Sequence, residues 1–210
     1  MEEDSLLPKN RIEALCDGIF TIAMTLLILN LNSPDNMPNI SSLEEIPGVL
    51  FNLIPDFESY ALSFFVLAIF WLRHQIHFKY LKFADRKIVF LNVLFLLFIV
   101  CVPFSVGFMM KYEHSRLALI VYIVNLMVIS GILTIHFLYI SFNKKIQSEE
   151  ITPILMKEFF IVAVIPISIF TLSFVFSFIN LRISFLLIYL DPISFAFYRI
   201  LIKKFIIKNN

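Results

Sequence analysis

The chain has 210 residues, 60% of them hydrophobic and 25 of them Phe, with a mean hydropathy of +0.88. An average soluble domain is only about 45–50% apolar, so water is excluded as the main solvent. The formal net charge of +1 provides no overall field for a nucleic acid to follow, and no nucleic-acid partner is expected; membrane lipid is the expected surrounding.

A hydrocarbon core about 30 Å thick takes about 20 apolar residues at about 1.5 Å rise each, and stretches of that length recur between short polar connections. The first predicted helix covers 14–31. It follows an acidic start, Met1 to Asp4, and no Ala-x-Ala-like site follows it, so it reads as a retained helix rather than a cleaved leader. The connection 32–55 carries Pro34, Pro38 and Pro47 and reads as a surface loop with at most a short helix near Ser42 to Glu45. Further spans are predicted at 57–78, 88–110, 117–142, 154–179 and 181–203. Pro103 and Pro166 lie inside two of them, where a missing N–H and a ring clash kink the axis. The expected fold is therefore an all-α membrane protein of six transmembrane helices, one domain over residues 1–210, with no soluble part able to act alone. Cys16 and Cys101 both fall in apolar segments, far apart in sequence, and read as two buried, inert thiols.

Six spans put both termini on one side, and basic residues say which side. Lys9 and Arg11, then Arg73, Lys79, Lys82, Arg86 and Lys87, then Lys144, Lys145 and Lys157, and finally Arg199, Lys203, Lys204 and Lys208 make fourteen at one end; Lys111, Arg116 and Arg182 make three at the other. Lys and Arg are retained in the cytoplasm, so both termini are expected there.

Enzyme motifs are absent from the sequence: no Gly-rich phosphate loop, no His-Glu-x-x-His, no Gly-x-Ser-x-Gly, and four glycines in all. His74 and His77 share a helix face at i, i+3, but no carboxylate adjoins them to complete a metal site, and no metal or other cofactor is expected. Asp17 sits one turn inside the first apolar run. Such a carboxylate either pairs with a neighbour such as Arg11 or is favoured by the helix N-terminus. Ile22, Leu26 and Leu29 recur at i, i+4 and i+7 with Thr25 beside them, a stripe that serves equally for packing or for lining a pore. Asp191 lies near the middle of the sixth span, where an isolated charge costs about 2.5–3.5 kcal/mol on insertion scales; it is expected to be neutral or hydrogen-bonded, with Tyr189 or Tyr198 as candidate partners.

At this point three motifs carry a resemblance. The run Arg11-Ile-Glu-Ala-Leu15-Cys16-Asp17-Gly18-Ile-Phe-Thr-Ile22-Ala-Met-Thr25-Leu26-Leu27 resembles the first-helix signature of the transmembrane protein 175 family, the endosomal and lysosomal potassium channels and their prokaryotic relatives. It departs at Leu15, where the family has Phe, and at Cys16, where it has Ser. Tyr60 and Phe64 with Trp71-Leu-Arg-His74 resemble the second helix, with Gln75 in place of a second His. Asp85-Arg86, Leu91-Asn92 and Pro103-Phe104-Ser105 resemble the third. Residues 11–105 carry the likeness; 116–210 match in hydropathy only.

The resemblance implies a homotetramer around a central pore lined by the first helix, conducting potassium ions across a bacterial or archaeal cell membrane. The chain has no Thr-Val-Gly-Tyr-Gly filter loop, so selection falls to the first helix. By resemblance Ile22, Leu26 and Leu29 form apolar rings, with Ile22 the main constriction and Thr25 supplying hydroxyl oxygen. Arg11, Asp17, Trp71, His74 and Asn92 form a supporting polar cluster at the cytoplasmic ends of the first three helices. The alternative is a proton-conducting protein or secondary transporter built on Asp191; a membrane enzyme would require clustered His and carboxylates facing one aqueous surface, which the second connection, with Lys82 and Asp85, does not supply, so no enzymatic activity is expected.

Overall fold

The computed structural model describes residues 8–31, 42–148 and 152–198. Six stretches within them are long and apolar enough to cross a membrane, matching the six predicted spans to within a few residues except where charge extends a helix end. Helix α1, Lys9–Leu26, starts straight after Pro8, whose missing N–H costs nothing at a helix start, and tightens into a 3-10 turn over Leu27–Asn30. Helix α2, Ile46–Asn52, was not expected: Pro47 reads as a breaker in sequence, yet it stands in the first turn, where proline is well tolerated. Helix α3 spans Ile54–Lys79, α4 Arg86–Lys111, α5 Arg116–Phe142 and α6 Pro153–Ser177. Helix α7, Leu181–Ile188, turns at Tyr189 and resumes over 190–198. The predicted end of the sixth span, 199–203, lies outside the described residues.

Side-chain caps fix several starts. Asp85 Oδ1 accepts from the Ile88 amide at 2.9 Å, and Asn180 Oδ1 from the Ile183 amide at 3.1 Å, each satisfying a donor the helix cannot. Consecutive long helices pack as antiparallel neighbours, α4 on α5, α5 on α6 and α6 on α7, while α1 lies across α3 and α4. In lipid no hydrophobic gain drives this association, so small residues and hydrogen bonds carry it. Serine does that work here in place of glycine. Ser173 Oγ donates to the Ser184 carbonyl and Ser184 Oγ to the Ser173 carbonyl, both at 2.7 Å, clasping α6 to α7. One turn before Pro103, Asn125 Nδ2 donates from α5 to the Phe98 carbonyl of α4 at 3.3 Å, a second polar tie between helices.

The two ends of the bundle differ. At one end the second and fourth connections join by an antiparallel bridge between Leu81 and Gln147, with Lys82 N–H to the Ile146 carbonyl at 2.8 Å and Ser148 N–H to that of Tyr80 at 2.9 Å. The start of α1 is tied to the same end, Lys9 Nζ donating to the Phe78 carbonyl at 3.3 Å. Alternate connections thus share one end, as a six-span thread requires.

Three expectations change. Arg73 is not a loop charge: it lies inside α3, 3% exposed, against a fully buried Asp191, with Nη2 to Oδ1 at 2.8 Å and Nη1 to Oδ2 at 3.1 Å. Asp191 therefore takes a guanidinium rather than a tyrosine hydroxyl; Tyr189 turns instead to Glu58 at 2.8 Å. Without Arg73 the basic asymmetry still stands at thirteen to three. Cys101 is exposed on the outside of α4, and only Cys16 is buried.

Candidate functional site

Helix α1 has two unlike faces. Ile12, Cys16, Phe20, Ala23 and Leu27 point into the bundle, spaced by three and four residues as a packing face must be. Turned away from them, Ile22 is 57% exposed, Leu26 40% and Leu29 74%. Thr25 shares that outer side and donates its hydroxyl hydrogen to the Ile22 carbonyl at 2.9 Å, which leaves the oxygen lone pairs free to face outward. Gly18 lies one turn below Ile22 on the same side, and a Cβ added there would meet nothing within 4 Å. The stripe is not the packing face of the subunit; that role belongs to the opposite side of the helix.

The five residues expected to form one polar cluster divide into two groups and a remainder. Outside, Asp17 Oδ1 accepts from Trp71 Nε1 at 2.8 Å and from Gln75 Nε2 at 2.7 Å. Trp71 and Gln75 are i, i+4 neighbours on α3, so one helix face presents both donors. Inside, His74 Nε2 lies 2.8 Å from Asn92 Oδ1. Cys16 Sγ sits 3.3 Å from both polar atoms of the Asn92 amide and 3.5 Å from His74 Nε2, joining α1, α3 and α4 at one buried point. A thiol here makes long contacts where the resembled first-helix signature has serine. Arg11 belongs to neither group. It is exposed, and six residues from Asp17 along a helix leaves the two side chains about 120° apart around the axis and about 9 Å apart along it, too far to pair.

Gln75 and Arg73 are the polar residues that the sequence reading missed. Gln75 could have been found from its i+4 spacing to Trp71; Arg73 had no such local signal, since its partner is 118 positions away. His74 and His77 acquire a third ring, His136 from α5, with centroids 6.0 and 6.1 Å away. His136 stacks on His77 and on Phe78, with His74 tilted against it, and among the described residues no group of three or more His, Cys, Asp or Glu is arranged to hold a metal. Asp85 caps α4 with one oxygen and accepts the Tyr139 hydroxyl with the other at 2.5 Å, so its carboxylate is committed to structure rather than to catalysis.

Residues 11–103 match the family described as Endosomal/lysosomal potassium channel TMEM175. A Streptomyces collinus potassium channel is 35% identical over 106 residues, 49% of this chain and 48% of that protein. Over residues 11–103 the chain is similar to the TMEM175 family. A chicken member, an endosomal/lysosomal proton channel, is 35% identical over 104 residues, 47% of this chain and 21% of that protein. The chain thus spans about half the length of the bacterial relative it matches and about a fifth of the vertebrate one. In fold, the crystal structure of a lysosomal potassium-selective TMEM175 homolog from Chamaesiphon minutus superposes with a TM-score of 0.75, covering 90% of this chain and 96% of that one at 23% identity. The likeness in fold therefore extends through the half of the chain where sequence motifs are lacking.

Proposed function

We propose that this chain is one subunit of a homotetrameric, potassium-selective cation channel of a prokaryotic cell membrane, with both termini in the cytoplasm and no enzymatic activity. The supporting observation is the outer face of α1: a column of exposed Ile22, Leu26 and Leu29, interrupted by a hydroxyl at Thr25 and standing above a glycine. One subunit cannot enclose a channel, and four copies presenting this face to a common axis would stack rings of apolar side chains.

Such a neck passes a cation only when it widens enough for a partly hydrated ion. Potassium, being larger, holds its water less tightly than sodium and loses less on entering, so the neck itself discriminates. The Thr25 oxygens replace part of the missing shell at the same depth. In this scheme the Asp17 and Asn92 groups hold α1 in register and do not touch the ion.

A transporter using Asp191 finds little support. Both carboxylate oxygens are engaged by Arg73, so proton hand-off there would first have to break a buried ion pair. The name of the chicken relative makes protons a second permeant species to be measured through the same pore.

Ile22 decides between pore and packing. Ile22→Ala and Ile22→Asn are expected to raise single-channel current and lower potassium preference, because both widen the neck and the second also wets it. Were Ile22 a packing residue, Ile22→Ala would instead cost about 2–5 kcal/mol per subunit and lower the amount of folded protein. Reduced current from both variants, with Thr25→Val leaving selectivity untouched, would remove α1 from the pore.

A further inference from the structure

The far end of α1 carries a contact that the pore scheme above does not use. Over Leu27–Asn30 the helix tightens to 3-10 geometry, in which residues three apart stand in line along the axis. Two columns result. Leu27, fully buried, and Asn30 point inward, while Leu26 and Leu29 point outward. In a continuing α-helix Leu29 would be rotated by about 60° from Leu26; the 3-10 turn places one above the other.

Asn30 anchors this turn. Its Nδ2 donates to the Pro103 carbonyl of α4 at 2.8 Å. Gly107 lies one turn further along α4, on the same face as Pro103, and a Cβ built there would fall on the Asn30 side-chain oxygen, with Cγ only 3.0 Å away. The amide thus occupies the place a side chain at 107 would take. Beyond it lies an open cavity of about 710 Å³ lined by Leu29, Asn30, Asp56, Phe104, Lys111 and Tyr112 among others. Among the described residues, the inward contacts of Leu27 and Asn30 tie the turn to the bundle.

We infer that Asn30 is a positioning residue for conduction: its amide, seated over Gly107 on the Pro103 carbonyl, sets the turn that stacks Leu29 over Leu26 at the outer end of the pore. The inference rests on α1 lining the pore. Asn30→Asp keeps the shape but replaces the donor by a carboxylate facing a carbonyl oxygen. Gly107→Ala drives a methyl into the amide. Asn30→Ala with Gly107→Ala restores room without restoring the bond.

The test reads the Leu29→Cys variant on a Cys101→Ser background, because Cys101 is the exposed native thiol. A thiol reagent applied from the outer side, the modification rate under recording and the potassium-to-sodium permeability ratio are measured together, with tetramer yield as the structural control. Asn30→Asp and Gly107→Ala are each expected to change the modification rate and the ratio several-fold with yield retained. The double alanine variant should match Asn30→Ala alone, since the methyl then meets nothing. Wild-type rate and ratio in both single variants, or effects on yield alone, overturn the positioning role. Leu29→Cys that reacts without altering current overturns the pore assignment itself, and the inference with it.

Discussion

Asp191 and Arg73 are the residues whose loss should be felt most in folding. An isolated carboxylate at membrane depth costs about 2.5–3.5 kcal/mol on insertion scales; here it meets a guanidinium through two hydrogen bonds, both groups buried. Removing one partner leaves the other charged and unpaired, typically a loss of about 3–5 kcal/mol. Asp191→Asn and Arg73→Ala are thus each expected to lower the melting temperature in detergent sharply, and Arg73→Leu with Asp191→Leu to recover most of it. A double variant as unstable as the worse single one would mean that the pair is not the source of the effect. Cys16→Ser runs the other way: a hydroxyl is a better donor to Asn92 than a thiol, so the melting temperature should hold or rise, and a large fall would show that Sγ volume matters more than hydrogen bonding. The Asp17 and Asn92 neighbourhoods were legible because a motif named their members. Their division was not, since neighbours in sequence such as Cys16 and Asp17 differ by about 100° around the helix and so fall on opposite sides of the bundle surface.

Helix α1 is held to α3 on its exposed side by Asp17, and what matters there is an acceptor rather than a pair with Arg11. Hydrogen bonds to a charged group contribute about 1.5–3 kcal/mol against about 0.5–1.5 for neutral ones. Asp17→Ala, which loses the acceptor of Trp71 and Gln75, should reduce cross-linkable tetramer strongly; Asp17→Asn, which keeps an oxygen, should reduce it less, and Arg11→Ala hardly at all. A loss with Arg11→Ala equal to that with Asp17→Ala would restore the ion pair that sequence proximity suggests. Element positions were readable in advance because a span is a long apolar run bounded by charge, a signal requiring no tertiary information. The details that were not readable share a cause. Helix α2 depends on Pro47 standing in a first turn rather than in a middle one, and the 3-10 end of α1 depends on Asn30 meeting a carbonyl 73 positions away.

In the whole molecule, the bridge between the second and fourth connections puts them at one end together with the start of α1, and thirteen of sixteen flanking basic residues are assigned to that end by the six-span thread. A C-terminal reporter active only outside the cytoplasm should therefore be silent; an active one would reverse the orientation. Fold class was legible from hydropathy alone, whereas the channel assignment came from motifs on three helices and not from any property of six apolar spans, which transporters share. The purified protein in liposomes under opposed potassium and sodium gradients puts that assignment to its most direct test. The reversal potential should lie near that of potassium, and a current from well-folded protein that reverses at zero, or at the proton potential when a pH gradient is imposed, would contradict potassium selection at the α1 constriction.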